Sequence, residues 1–311
     1  MKSLNRHQRL LLFVLFVLAL TALLSPWFAL AADWLADQWP AIKRYPFSRI
    51  FNRTFMISGI ILFFCCRKFL KIGRLSDLGI ITLRKGNRDL IAGWLLAAGS
   101  MTALIVAMTV ADVFEPHFRY SLSQSLSRVA SALASGIFAG VLEEIFFRGI
   151  LFKGLLQNGR PVRAFILANL FYSALHFVKP GESYFVDGFA PLAGFRHLFY
   201  TFTPFLEPLP LLPGMFGLFL IGVVLSYAFL RTGNLYLAIG LHAGWVFSLK
   251  SVRIAGTYRR DDLSWLFGAS DPRIVSGVAT WIGILIVLAL AHWYTRRRNG
   301  LSVEAAPSES V

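Results

Sequence analysis

The chain has 311 residues, 56% of them hydrophobic and only 15% charged, with a mean hydropathy of +0.62. This excludes an ordinary soluble domain and places the chain among polytopic membrane proteins. The formal net charge of +15 does not point to nucleic acid, because the Lys and Arg residues flank apolar runs, where cations orient spans against anionic lipid.

Residues 10–30 follow Lys2, Arg6 and Arg9 and read as a retained first span. The same segment, residues 1–32, also has the form of a secretory signal, with Ala29-Leu30-Ala31 as its cleavage site. Residues 50–128 hold a second span at 50–66, interrupted near its start by Arg53, and a third at 90–111. About 20 residues is the length a bilayer core demands. Between these two spans lies the most basic loop, with Arg67, Lys68, Lys71, Arg74, Arg84, Lys85 and Arg88. Its apolar residues suit a short element along the membrane surface. Cys65 and Cys66 close the second span; adjacent cysteines make a poor disulfide, and no zinc spacing is present.

The fourth span, 130–156, contains Gly136 and Gly140, a small-xxx-small face that admits another helix closely. The fifth is expected at 162–178, the sixth at 214–230, the seventh at 234–249 and the eighth at 274–293. The connection 179–213 suits either an interfacial lid or a plain surface-lying connector. The fold class is therefore all-α, an integral membrane protein of about eight transmembrane helices with cytoplasmic termini. Residues 129–250 form its core and 274–295 its last span; a basic and polar tail, 296–311, is expected to be disordered.

The fourth span carries Glu143, Glu144 and Arg148. A charge at bilayer depth costs roughly 2.5–3.5 kcal/mol on insertion scales, so such residues usually serve a function. Glu144 and Arg148 are four apart on one helical face and suit an ion pair. Glu143 is turned about 100° away and needs a partner from another helix. Of the six histidines, only His176 and His242 fall inside expected spans. Lipid offers ionisable groups no partner, so these are expected to meet. Glu and His side chains without a Ser or Cys nucleophile suit activation of water: a buried carboxylate takes the proton and an imidazole donates to the oxyanion. The small residues Gly240, Ala243 and Gly244 leave room beside His242 for a substrate backbone.

Glu-Glu-x-x-x-Arg on the fourth span, Tyr172-x-x-x-His176 on the fifth and His242 on the seventh resemble the CAAX protease and bacteriocin-processing (CPBP) family, over about residues 131–249. The resemblance implies an intramembrane endopeptidase, like the type II CAAX prenyl endopeptidases, acting on a membrane-associated or lipidated protein. The setting it implies is the plasma (inner) membrane of a bacterium. Carried across, Glu143 is the base that activates water, aided by His176. Glu144 and Arg148 support the site, and His242 contributes to the oxyanion hole. Two positions depart from the family pattern. Tyr172 stands where Phe is usual, and Val246 stands where Asn or Asp is usual. Trp245 or Ser248 is then the expected substitute donor. No cofactor is expected; were zinc bound, Glu143, His176 and His242 would supply its ligands. The alternatives from other classes are a non-catalytic immunity or partner-binding protein, to which Val246 points, and a transporter or proton relay. The absence of an internal repeat speaks against the transporter.

Overall fold

The computed structural model describes residues 6–39, 45–70, 72–156, 159–178, 184–186, 188–268 and 274–304. In chain order its helices are α1 (Arg6–Gln38), α2 (Phe47–Cys66), α3 (Leu83–Val110), α4 (Leu122–Glu144), α5 (Lys153–Leu156), α6 (Pro161–Leu175), α7 (Ala193–Tyr200), α8 (Leu212–Thr232), α9 (Tyr236–Ala255), α10 (Ser264–Phe267) and α11 (Val278–Glu304). A π-helical segment, Ile145–Phe152, joins α4 to α5. Two short strands, β1 (Phe114–Pro116) and β2 (Gly256–Tyr258), pair antiparallel with Phe114 opposite Tyr258. The protein is thus an all-α polytopic membrane protein. Among the described residues, six helical stretches are long and apolar enough to cross a membrane.

Eight spans were expected, and the difference lies in the fifth and seventh. Helix α6 has only 15 residues, short of the ~20 that a bilayer core requires. Helix α9 has 20 residues, but Lys250 and Arg253 lower its hydropathy, and much of its length is buried among other helices. Helices α2, α3 and α4 begin before the expected spans, because polar residues extend them into the interface. Helix α4 starts at Leu122, where Ser121 accepts from the Gln124 N–H at 3.4 Å. Helix α3 takes in Arg84, Lys85 and Arg88, which were expected in the basic loop. Arg53 does not interrupt α2, which begins at Phe47. Helix α11 continues through Arg296, Arg297 and Arg298 to Glu304, into the stretch expected to be disordered; residues 305–311 lie outside those described, as do Lys71 and residues 179–183 of the expected lid.

The chain divides into two compact units. The first comprises Met1–Gly73 and Ala174–Leu212. Here α1 is one helix through Pro26, so Ala29-Leu30-Ala31 is helical. Helix α7 crosses α1 at Gly194, where a Cβ would come within 1.9 Å of the Ala22 carbonyl oxygen. Ala22, Ala29, Phe47, Phe51 and Ala193 form the core of this contact. His197 is fully buried in it, 4.5 Å from the Phe51 ring and hydrogen-bonded through Nδ1 to the Tyr184 hydroxyl at 2.8 Å. Cys65 and Cys66 are free thiols at the end of α2.

The second unit comprises Arg74–Ser173 and Pro213–Val311. Its centre is α9, held between α3 and α4 by glycine on both sides. Gly136 of α4 faces the Ala243 carbonyl at 2.6 Å from the place of its missing Cβ. Gly240 of α9 faces the Leu90 carbonyl at 2.1 Å. Any side chain there would push the helices apart, and close packing is what holds helices together in lipid. The space beside Gly240 and Gly244 is therefore filled by α3 and is not open to a substrate backbone, contrary to the sequence expectation. At one end of the unit, the buried Asp89 of α3 accepts from Tyr294 at 2.9 Å and from Asn234 at 3.2 Å. Arg298 approaches the same carboxylate at 2.8 Å, as an ion pair rather than an aligned hydrogen bond. Asn234 also accepts from the Tyr236 N–H at 2.9 Å, which fixes the start of α9.

Burial lowers the His197 pKa from 6.5 to about 4, because the charged ring is desolvated. Between those values the unfolded state binds a proton that the folded state refuses. Stability of the first unit is therefore expected to fall as pH drops from about 6.5 toward 4, by up to about 3 kcal/mol, and to level off below. Unfolding in detergent across this window should show the slope, and His197→Gln should remove it. Gly240→Ala is expected to lower the melting temperature strongly, since its methyl has no room; a variant melting with the wild type would contradict the packing described.

Candidate active site

Four side chains meet in the second unit where α4 passes into the π-helical segment. A π turn holds one extra residue, and such turns recur at functional sites. Here it broadens the buried face, so Phe147, Arg148, Gly149 and Ile150 are buried in succession. Gly149 makes this possible, since a Cβ there would lie 2.9 Å from the Leu78 carbonyl.

Glu144 is fully buried. Its Oε1 accepts from Arg148 Nη1 at 2.9 Å and meets His242 Nδ1 at 2.7 Å. An ionised carboxylate only accepts, so Nδ1 carries the proton and Nε2 is left as the working nitrogen of the ring. That nitrogen lies 3.8 Å from Glu143 Oε2, too far for a direct hydrogen bond and near enough to share a water. The Glu143 side chain is 35% exposed whereas that of Glu144 is 0%, so the two adjacent carboxylates occupy different environments. Glu144 Oε2 is buried without a hydrogen-bond partner among the described residues.

Arg148 is also buried, and its second nitrogen, Nη2, donates to the Gly222 carbonyl of α8 at 3.2 Å. Its guanidinium lies 4.5 Å from the centre of the Tyr172 ring. That ring stands at 90° to His242, with centroids 6.2 Å apart, and edge-on to Phe147 at 4.9 Å. The aromatic faces exclude water around the ion pair and offer the guanidinium a cation–π contact. Behind Gly222, Asn169 of α6 accepts from the Ser226 hydroxyl at 2.9 Å.

The structure thus brings Glu143, Glu144, Arg148 and His242 together. His176 is half-buried in a turn one residue beyond α6 and not inside a span, because that helix ends at Leu175. Among the described residues, no three His, Cys, Asp or Glu side chains are arranged to hold a metal ion. The indole N–H of Trp245, expected as a substitute oxyanion donor, is committed to Ser100 Oγ at 3.1 Å. Three contributors escaped the sequence reading: Asn169, Ser226 and the Gly222 carbonyl. Asn169 carried a signal, a lone amide in an apolar run, seven residues before His176. A backbone carbonyl carries none.

Residues 125–248 match the family described as Type II CAAX prenyl endopeptidase Rce1-like. Over this stretch the chain is similar to the CAAX protease family. The matched stretch runs from the start of α4 into α9 and contains Glu143, Glu144, Arg148, His176 and His242. The matched stretch includes α4, α6, α8 and most of α9, while α3, which packs against α9, and α11, which packs against α3, lie outside it. No curated protein and no solved structure matches this chain.

Removing one partner of a buried ion pair leaves the other charge uncompensated, at a cost of about 3–5 kcal/mol. Glu144→Gln is accordingly expected to destabilise the protein far more than Glu143→Gln, whose side chain is partly exposed. Thermal unfolding of the two variants in the same detergent checks the order; equal losses would mean that the buried pair does not support the fold.

Proposed function

We propose that this protein is an intramembrane endopeptidase that hydrolyses a peptide bond of a membrane-associated or lipidated protein with water activated by Glu143. The observation that carries the reading is the division of labour around His242. Its Nδ1 is held by the buried Glu144–Arg148 pair, and its Nε2 faces Glu143 at 3.8 Å. Such an arrangement orients one imidazole nitrogen toward a reacting centre without spending the catalytic carboxylate on the task.

In this reading a water molecule donates to Glu143 and lies against His242 Nε2. Glu143 takes one proton as the water oxygen attacks the carbonyl carbon of the scissile bond. The carbonyl becomes an oxyanion, and His242, in its imidazolium form, donates Nε2–H to it. Glu143 then returns the proton to the amide nitrogen, the C–N bond breaks, and the amine leaves. His176 shares in handling the proton, a role taken from the family resemblance. Glu144 and Arg148 hold His242 and do not touch the substrate. No metal or other cofactor enters these steps.

Charge supports a site opening toward the cytoplasmic face. Arg84, Lys85, Arg88, Arg160, Arg163 and Arg231 are exposed at the end of the second unit where α9 begins, and His242 is six residues into that helix. At the other end, Arg259 is paired with Asp112 at 2.8 Å, so positive charge is partly balanced there. The bacterial inner membrane is the setting that fits this bias.

A second reading, a non-catalytic partner-binding protein, is favoured by one observation: Val246 has no donor to offer and the Trp245 N–H is committed to Ser100, which leaves Ser248 as the remaining expected donor on α9. One comparison separates the two. Glu143→Gln, nearly isosteric, is expected to abolish processing by at least about a thousandfold while leaving insertion and folding intact. Membrane-protein termini in cells carrying wild type or Glu143→Gln should then differ at the substrate. Identical termini, with a phenotype retained by the variant, would favour the non-catalytic protein.

A further inference from the structure

We infer that Asn169 is a positioning residue for the candidate site, acting by keeping the Ser226 hydroxyl away from the Gly222 carbonyl so that this carbonyl can accept from Arg148. The inference rests on the proposed hydrolytic function only for its kinetic readout; the hydrogen-bond readout below is independent of it.

The argument begins with a local habit of helices. A Ser or Thr hydroxyl inside a helix commonly donates back to the carbonyl four residues earlier. This chain follows the habit widely. Thr21 donates to the Val17 carbonyl at 2.7 Å, Thr54 to that of Ile50 at 2.9 Å and Thr295 to that of Ala291 at 2.9 Å. For Ser226 of α8, the carbonyl four residues back is Gly222. That oxygen already accepts the helical N–H of Ser226, so one lone pair remains.

Arg148 Nη2 takes it, at 3.2 Å. The Ser226 hydroxyl instead donates across to Asn169 Oδ1 at 2.9 Å. Ser226 and Asn169 are both buried, so water does not compete. Gly222 permits the arrangement by its lack of a side chain, since a Cβ would lie 2.9 Å from Asn169 Oδ1. The amide is held in one sense: its Oδ1 accepts from Ser226, while Nδ2 has no hydrogen-bond partner among the described residues. The line of contacts then runs from Asn169 and Ser226 to the Gly222 carbonyl, to Arg148, to Glu144 and finally to His242 Nδ1. Without the acceptor at position 169, the Ser226 hydroxyl returns to the Gly222 carbonyl and competes with Arg148. The guanidinium loosens, and with it the carboxylate that aims His242.

The test is an epistasis measurement. In full-length protein in nanodiscs, the His242 Nδ1–H proton resonance reports its hydrogen bond to Glu144. Asn169→Ala is expected to shift it upfield, and Asn169→Leu, which fills the volume but supplies no acceptor, to do the same. Adding Ser226→Ala removes the competing hydroxyl and should restore the resonance, even though it deletes a second polar group. In the kinetic arm, Asn169→Ala should lower kcat about tenfold with KM within twofold, and the double variant should recover most of the loss. If the double variants are no better than the single ones in the resonance, Asn169 only packs the core and the inference falls. An unmoved resonance in both single variants also overturns it. If the resonance behaves as expected but no variant or wild type cleaves any protein, the hydrolytic reading fails and the positioning role stands.

Discussion

One carboxylate oxygen, Oε1 of Glu144, receives both Arg148 and His242 in the interior of a membrane protein. Much of the architecture around the site can be understood as meeting the demands of that contact. An ionised group so placed is costly unless paired, and its partner must itself be satisfied. Arg148 reaches a second acceptor on α8 and a ring face on α6. His242 must arrive from α9 at a fixed height and rotation. The charge cluster thus ties four helices to one another, α4, α8 and α9 through hydrogen bonds and α6 through the Tyr172 ring.

The backbone geometry that brings His242 to Glu144 comes from glycines. Lipid gives no hydrophobic drive for helices to associate, so close packing must supply it. Helix α9 is in contact with α4 on one side and α3 on the other, and at Gly136 and Gly240 no larger side chain fits. The Asp89 cluster then sets where α9 begins, through Asn234. These constraints lie partly outside the stretch that matches the family. The residues that place the candidate site are therefore drawn from both inside and outside the matched stretch.

Adjacent carboxylates in different environments follow from the same geometry. Glu144 points into the protein and is consumed by its two partners. Glu143, one position earlier, lies on another face and retains access to solvent. The π-helical segment that begins immediately afterwards buries Phe147 against α6, Arg148 against α8 and Gly149 against Leu78. Position along a helix thus separates a buried, paired charge from a partly exposed one, although the residue type is the same.

The sequence alone determined the membrane class, most span positions, the resemblance to the CAAX proteases, and the Glu144–Arg148 spacing. All of these rest on local quantities: apolar run length, the helical repeat of 3.6, and the order of motifs. It misplaced helix starts where polar residues continue a helix into the interface, as at Leu122 and Leu83. It put His176 inside a span that ends one residue earlier. It read Gly240 and Gly244 as room for substrate, because an absent side chain in a sequence does not say what fills the gap. Only the tertiary structure decided that a neighbouring backbone fills it, that Trp245 is already engaged, and that a mid-helix carbonyl receives Arg148. Composition and spacing encode which groups a segment can offer; which offer is taken depends on elements up to 205 residues apart, such as Asp89 and Tyr294, and that is settled by packing.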